Sequence, residues 1–171
     1  MDNNKIYKMV DLFAGCGGLS LGLEQAGFTP WFVNEIMPAF CTTYKRNHNL
    51  PDSHYYVGDI NELNKQLDDY KELLTDITLV CGGPPCQGFS SANRQRIIDD
   101  PRNQLYKAFL FFLSKVRPKF FVMENVPGML SMSDGEIIKE IESIFTDETN
   151  FENGQYYIYK QVFLLVGYRL L

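Results

Sequence analysis

Residues 8–18 read KMVDLFAGCGG, a short apolar run that passes directly into a glycine-rich turn. This pattern is typical of a buried strand that turns into a helix, because glycines let the backbone bend tightly and approach a ligand closely. The periodicity of residues 19–26 predicts the helix, which Gly27 ends. A strand, a glycine turn and a helix are the first unit of an α/β fold.

The alternation of strand and helix patterns continues along the chain. We predict strands at residues 8–14, 31–34, 55–57, 77–81 and 120–123, and helices at 19–26, 38–47, 60–74, 103–116 and 134–145. This order predicts a parallel sheet with right-handed crossovers, so the fold class is α/β, a doubly wound Rossmann-like domain spanning residues 1–171. The composition of residues 120–123 further predicts a strand buried on both faces.

The segments outside these elements have less regular sequence patterns. Residues 87–102 are polar with few apolar anchors and are longer than a usual strand–helix connection, which is typical of a functional loop. Residues 146–154 are predicted as a polar loop, and residues 156–171 are apolar and aromatic and suit either a helix or a strand.

The composition narrows the class of protein. The 171 residues are 45% hydrophobic and 22% charged, as in an ordinary globular domain, and no apolar run approaches the roughly 20 residues of a membrane span. The polar amino terminus lacks the apolar segment of a signal peptide, so we expect a cytoplasmic protein. The four cysteines form no CxxC pair, and we expect no metal site. A net charge of −5 argues against a nucleic-acid binder that works without further parts.

Two acidic residues follow the second and third predicted strands. Glu35 stands where a carboxylate reaches a ribose, and Asp59 stands where it accepts from an adenine amino group. Together with the glycine turn they outline a nucleoside pocket at the carboxyl edge of the sheet. The same geometry suits NAD, so these residues alone leave the cofactor open.

A second motif, GGPPCQGFS at residues 82–90, follows the fourth predicted strand. It presents Cys86 where an α/β enzyme displays a nucleophile. Glu124 and Asn125 follow the fifth strand, which we expect beside the fourth at about 4.8 Å, so Cys86 and Glu124 should share one pocket. His48 and His54 lie in a polar stretch and are expected on the surface.

Three motifs in this order resemble the cytosine-C5 DNA methyltransferase family: DLFAGCGG at residues 11–18, PCQ with FS at 85–90, and ENV at 124–126. The resemblance implies a class I S-adenosylmethionine-dependent methyltransferase fold and methyl transfer to C5 of cytosine in DNA. It implies that Cys86 attacks C6 of the base and that Glu124 neutralises N3, with Gln87 and Asn125 supporting them. The reacting base must leave the duplex to reach Cys86.

The resemblance also implies binding residues. The S-adenosylmethionine contacts would come from residues at the carboxyl edge, namely Phe13, Ala14, Gly15, Cys16, Gly17, Gly18, Leu19, Glu35, Ile36, Asp59, Ile60, Pro84 and Leu105. The nucleic-acid contacts would come from the polar loop, namely Ser90, Arg94 and Arg96.

The family's later motifs, a Gln-x-Arg-x-Arg element, a target-recognition domain and a final Asn-containing segment, are not in these residues. We therefore expect a domain that is incomplete at its carboxyl end, either truncated or completed by a C-terminal subunit. Three alternatives to a DNA methyltransferase stay open: cytosine-C5 methylation of tRNA, a non-catalytic S-adenosylmethionine-binding subunit, and an NAD-dependent oxidoreductase.

Overall fold

The computed structural model describes residues 5–85, 105–125, 135–147 and 156–159. The chain divides into two compact units, Met1–Asn125 and Val126–Leu171. That residues 1–171 form one domain stays a prediction. Cys86, Gln87, Ser90, Arg94 and Arg96, with the predicted loop that holds the last four, lie outside the described residues.

In its described residues, 5–85 and 105–125, the first unit contains five strands and four helices. In chain order they are β1 (Lys8–Leu12), α1 (Gly18–Gln25), β2 (Thr29–Glu35), α2 (Pro38–Asn47), β3 (Tyr55–Val57), α3 (Ile60–Lys65), β4 (Leu79–Gly82), α4 (Leu105–Val116) and β5 (Phe120–Met123). Short 3-10 turns occupy Asp52–His54 and Leu67–Tyr70. The predicted bounds of α2, β3 and β5 are confirmed.

The sheet has the order β3-β2-β1-β4-β5, and its four pairings are all parallel. This confirms the predicted α/β class. The chain winds outward in one direction from β1 to β3 and in the other from β4 to β5, so the topological switch point lies between β1 and β4. Ligands of open parallel sheets bind outside the carboxyl ends of the strands at such a point.

The register brings three turns to the same place. Leu12 pairs with Gly82, and Gly82 pairs with Met123, so β1, β4 and β5 end side by side. The residues that follow each of them therefore leave the sheet next to one another. This is why motifs far apart in the sequence meet at one edge.

The predicted helix at residues 60–74 is wrong beyond Lys65. The chain leaves the α-helical conformation at Gln66 and continues as the 3-10 turn Leu67–Tyr70. The ring of Tyr70 packs edge-on against Phe32 at 5.2 Å between centroids, and Trp31 Nε1 donates to the carbonyl of Leu73 at 2.9 Å. These contacts with β2 outweigh the helical pattern of the sequence.

The prediction that β5 is buried on both faces is also wrong. β5 pairs with β4 and is the last strand of the sheet in the described part of the chain. One of its faces meets α4, where Phe121 lies 6.5 Å from Phe109. The other face leaves Phe120 61% exposed and Val122 38% exposed.

The second unit contributes one described helix, α5 (Glu136–Thr146), which overlaps the helix predicted at 134–145. Ile141 and Phe145 are its buried side chains among those described. The amide of Tyr156 donates to the carbonyl of Phe145 at 3.0 Å, and the two rings pack edge-on at 5.9 Å. The rest of the segment predicted as helix or strand, 160–171, lies outside the described residues.

Candidate functional site

The glycine turn between β1 and α1 adopts an uncommon backbone conformation. Phe13, Gly15 and Gly17 all have positive φ angles, of 58°, 55° and 90°. Gly17 is the N-cap of α1 and its carbonyl accepts from the amide of Leu21 at 2.9 Å. A Cβ atom added to Gly15 or Gly18 would meet no atom within 4 Å, so the backbone there faces open space. A ligand can therefore approach the main chain directly.

Glu35, the last residue of β2, holds this turn in place. It is 6% exposed; its Oε2 accepts from the amide of Gly15 at 2.6 Å and its Oε1 accepts from the amide of Met37 at 2.8 Å. Each carboxylate oxygen has a second lone pair, so Glu35 can still accept from ligand hydroxyl groups. Ile36 follows it with 58% of its surface exposed, which leaves an apolar side chain free to cover a flat ring.

Asp59 stands at the end of β3 as the N-cap of α3. Its Oδ1 accepts from the amide and the side-chain nitrogen of Asn61, at 2.7 and 2.9 Å, so Oδ2 can accept from a ligand. Asn34 in β2 fixes the position of this turn, because its Nδ2 donates to the carbonyl of Gly58 at 2.9 Å. The amide of Gly58 also donates to the carbonyl of Glu35 at 3.0 Å. These bonds fix the ends of β2 and β3, from which the two carboxylates extend, relative to each other.

Glu124 and Asn125 lie against the residues that precede Cys86. The amide of Glu124 donates to the carbonyl of Gly82 at 2.9 Å. Glu124 Oε2 is 3.0 Å from the position that a Cβ of Gly83 would occupy, so this glycine leaves room for the carboxylate. Asn125 Nδ2 donates to the carbonyl of Pro84 at 2.8 Å, which is the contact that a brace for the Cys86 segment requires.

The other residues expected to line the cofactor pocket are placed differently. Cys16 is exposed, and Phe13 and Ala14 are half-buried in the turn. Leu19 packs against the core cluster of Met9, Leu79 and Cys81. The side chains of Ile60 and Pro84 are buried, and the half-buried Leu105 begins α4.

The prediction that His48 is a surface residue is wrong. The residue is 4% exposed, its Nδ1 lies 2.6 Å from Glu24 Oε2, and its Nε2 lies 3.2 Å from the carbonyl of Gly17. The signal was present in the sequence, because Cys41, Tyr44 and His48 follow the spacing of one helix face. Cys41 and Tyr44 are the buried residues of α2, and His48, the C-cap of that helix, continues their spacing. His54 is half-buried, and its Nδ1 lies 2.6 Å from the carbonyl of Trp31.

A buried polar chain lies beneath the glycine turn. Tyr44 Oη donates to Ser20 Oγ at 2.7 Å, and Ser20 Oγ donates to Asp11 Oδ2 at 2.6 Å. Burial raises the pKa of Asp11 to about 6, although hydrogen bonds from Ser20 and Cys81 act in the opposite direction. The chain ties α2 to α1 and β1.

The described residues contain no group of three or more His, Cys, Asp or Glu side chains arranged to hold a metal ion. Within the same residues, no helix has the length and apolar character needed to cross a bilayer.

The site therefore fits a nucleoside cofactor. Four features lie along the carboxyl edge of the sheet. They are the open glycine turn, the anchored Glu35 carboxylate for ribose hydroxyls, the exposed Ile36 side chain and the Asp59 carboxylate. They suit S-adenosylmethionine, and they also suit NAD.

Comparison with known proteins relates the chain to methyltransferases. The chain is 41% identical over 142 residues to the type II methyltransferase M.AquIA of Picosynechococcus, covering 82% of this chain and 55% of that protein. It is 40% identical over 138 residues to the type II methyltransferase M.NgoPII of Neisseria gonorrhoeae, covering 81% of this chain and 38% of that protein. The chain thus spans between about a third and a half of the length of such relatives.

Solved structures agree with this relation. The crystal structure of a prophage-encoded Escherichia coli protein, assigned as a DNA modification methyltransferase, matches 80% of this chain and 36% of that chain, with a TM-score of 0.65 and 36% identity. A protein of Pyrococcus horikoshii assigned as an RNA methyltransferase matches with a TM-score of 0.50 and 17% identity, covering 81% of this chain and 55% of that chain, which shows a shared fold alone. The sequence profile of the C-5 cytosine-specific DNA methylases matches residues 7–161, and this chain therefore belongs to that family.

Proposed function

We propose that this chain supplies the cofactor-binding and nucleophile-bearing part of an S-adenosylmethionine-dependent methyltransferase that acts on C5 of cytosine in DNA. The observation that carries the proposal is the position of Glu124. Its carboxylate lies against Gly83, three residues before Cys86 and at the edge that also holds the glycine turn and Glu35. One pocket would thus hold a cofactor, an acid and a nucleophile.

The cofactor would be held by residues at the ends of β1, β2 and β3. Glu35 accepts from the ribose hydroxyls, Ile36 covers the adenine, and Asp59 accepts from its amino group. When bound, S-adenosylmethionine supplies the methyl group that C5 of cytosine takes. The protein's part is to keep the glycine turn open and the two carboxylates fixed before the cofactor arrives, which reduces the ordering cost of binding.

Cys86 and Glu124 carry out the chemistry on the cytosine base. The Cys86 thiolate forms a bond to C6 of cytosine, and the ring electrons move toward C5 while Glu124 donates a proton to N3. After C5 is methylated, a base removes the C5 proton, the bond between C6 and the Cys86 sulfur breaks and the N3 proton returns to Glu124, which restores the thiolate and releases 5-methylcytosine. Asn125 keeps the Cys86 segment in place through Pro84.

The nucleic-acid partner in this proposal is double-stranded DNA, from which the target cytosine is flipped into the pocket. Gln87, Ser90, Arg94 and Arg96 would contact the flipped nucleotide and its phosphates. The relatives are type II methyltransferases, the class that accompanies restriction enzymes, and they are longer than this chain. We assign recognition of the target sequence to a further C-terminal part, in the same protein or in a complementing subunit.

The first test is calorimetric titration with S-adenosylmethionine and, separately, with NAD. Saturable binding of S-adenosylmethionine without binding of NAD is expected. Binding of NAD instead would contradict the cofactor assignment and favour an oxidoreductase.

The second test is covalent capture of 5-fluorocytosine, whose C5 substituent cannot leave as a proton. Capture is measured on DNA and on RNA, with the chain alone and with a relative's C-terminal half added. Cys86→Ser should abolish capture and keep cofactor affinity, whereas the control Cys41→Ala removes a buried cysteine from α2 and should still be captured. Capture by Cys86→Ser would exclude Cys86 as the nucleophile, and capture on RNA alone would favour tRNA as the substrate.

A further inference from the structure

We propose that His48 is a positioning residue for the cofactor: its buried ring holds the start of α1 so that the glycine turn keeps the conformation that S-adenosylmethionine requires. The proposal rests on the proposed function, because it assigns to that same site a residue from outside the three sequence motifs.

The ring of His48 occupies the space beside Gly17. A Cβ atom added to Gly17 would lie 2.3 Å from His48 Nε2 and 2.9 Å from Tyr44 Cδ2. The ring also stacks on Tyr44 at 4.2 Å between centroids. The turn, the imidazole and the phenol are therefore in direct contact, and a shift of the ring displaces the turn.

The hydrogen bonds of the ring have a consistent direction. Nε2 faces the carbonyl of Gly17 and Nδ1 faces the carboxylate of Glu24, and both of these groups are acceptors. The ring therefore bridges the Gly17 carbonyl, at the N-cap of α1, and the carboxylate of Glu24 within the same helix. Asp11 in β1 is a second carboxylate whose charge interacts with His48.

The anchor acts on a turn that has few supports of its own. Phe13, Gly15 and Gly17 all have positive φ angles, a conformation that persists where surrounding groups impose it. From the β2 side, Asn34 and Glu35 bind the amides of Ala14 and Gly15. From the α2 side, His48 binds the carbonyl of Gly17. Removing His48 takes away the contact from the α2 side to the Gly17 carbonyl, so ordering the turn then costs more of the binding energy of the cofactor.

The chain contains a matched control, because its two histidines make comparable bonds at opposite ends of the sheet. His54 also faces a backbone carbonyl, that of Trp31, which lies near the amino end of β2 and away from the glycine turn. Loss of His54 removes the same kind of side chain and the same kind of bond without touching the turn.

The experiment measures S-adenosylmethionine affinity by calorimetry and thermal unfolding without ligand, for the full chain and for His48→Ala, His48→Gln and His54→Ala. His48→Ala should weaken affinity roughly tenfold or more, the effect of a lost charge-assisted hydrogen bond. His48→Gln, whose amide can donate to the Gly17 carbonyl, should recover part of that loss. His54→Ala should lower the melting temperature while leaving affinity within about twofold of the unaltered chain.

Glu24→Gln provides a variant that opens no cavity, should His48→Ala fail to fold. The Glu24 side chain is 32% exposed, so loss of its charge should weaken affinity by roughly two- to fivefold.

Three results would overturn the assignment. Unchanged affinity in His48→Ala would overturn the positioning role of His48 and leave the proposed function standing. If His48→Ala does not fold, unchanged affinity in Glu24→Gln would have the same consequence. Equal losses in His48→Ala and His54→Ala would show a general loss of stability and no positioning role. Absence of binding by the unaltered chain would overturn the proposed function, and this assignment with it.

Discussion

Replacing Asp11 with Asn tests the energetic account of the buried polar chain. Asp11 is 1% exposed and accepts from Ser20 Oγ at 2.6 Å. Burial is the main cause that raises its pKa from 3.8 to about 6, because a carboxylate loses its hydration inside the sheet. Asparagine has nearly the same shape and can accept the same bond from Ser20, but it does not titrate.

The size and sign of the effect follow from proton linkage. At pH values between 3.8 and about 6 the folded protein binds a proton at Asp11 that the unfolded chain does not. The stabilisation from that proton is fully present below pH 3.8 and is lost as the pH rises through about 6. A difference of roughly two pKa units corresponds to about 3 kcal/mol. Relative to the unaltered protein, Asp11→Asn should therefore gain about this much stability between low and neutral pH.

The assay is urea unfolding at 25 °C at several pH values from 4 to 8. The quantity compared is the difference between the free energies of unfolding of the variant and the unaltered chain, so that other titrating groups cancel. Any mismatch between the introduced asparagine amide and its surroundings changes this free-energy difference by the same amount at every pH. Asp68→Asn, which removes an exposed carboxyl from the turn after α3, is the control for loss of one charge and should change the difference far less, since solvent screens it. A flat difference curve for Asp11→Asn, or one of opposite slope, would refute the reasoning.

Two further substitutions separate cofactor binding from base chemistry. Glu35→Ala removes the acceptor for the amides of Gly15 and Met37 and should weaken S-adenosylmethionine binding by about 1–3 kcal/mol in a calorimetric titration; unchanged affinity would mean that the ribose is held elsewhere. Gly83→Ala places a Cβ at 3.0 Å from Glu124 Oε2 and should reduce capture of 5-fluorocytosine by roughly tenfold while cofactor affinity stays the same. Normal capture by Gly83→Ala would show that the carboxylate can move aside without cost.

The sequence predicted those parts of the fold that depend on local pattern. The bounds of α2, β3 and β5 are confirmed because each has strong periodicity and clear ends, such as the proline at the start of α2. The class of the sheet followed from the alternation of elements. The length of α3 was not predictable in this way, because it is set by Tyr70, whose ring packs on Phe32 from β2. No local sequence pattern predicts that contact.

For the site, too, the sequence predicted the features that depend on where each strand ends. Motif and strand-end reasoning located Glu35, Asp59 and Glu124, since the ends of parallel strands share an edge. It did not predict that Glu35 uses both oxygens on backbone amides, or that His48 is buried against Gly17. Both features depend on how close α2 and the turn after β2 come to the glycine turn. That distance is a property of packing.

The charged side chains of the described residues are distributed unevenly between the carboxyl edge of the sheet and its amino edge. Glu35 ends β2, and Asp59 and Glu124 follow β3 and β5, so the carboxyl edge carries three carboxylates that favour a cationic sulfonium cofactor and repel phosphates. A cavity of about 600 Å³ near the amino ends of β4 and β5, away from the site, is lined by five basic side chains and two acidic ones, namely Lys65, Lys71, Lys115, Arg117, Lys119, Asp68 and Asp76. The described residues near the pocket therefore suit the cofactor and the base. Under the proposed function, neutralising the DNA backbone would fall to Arg94, Arg96 and a complementing part, in keeping with the net charge of −5 of this chain.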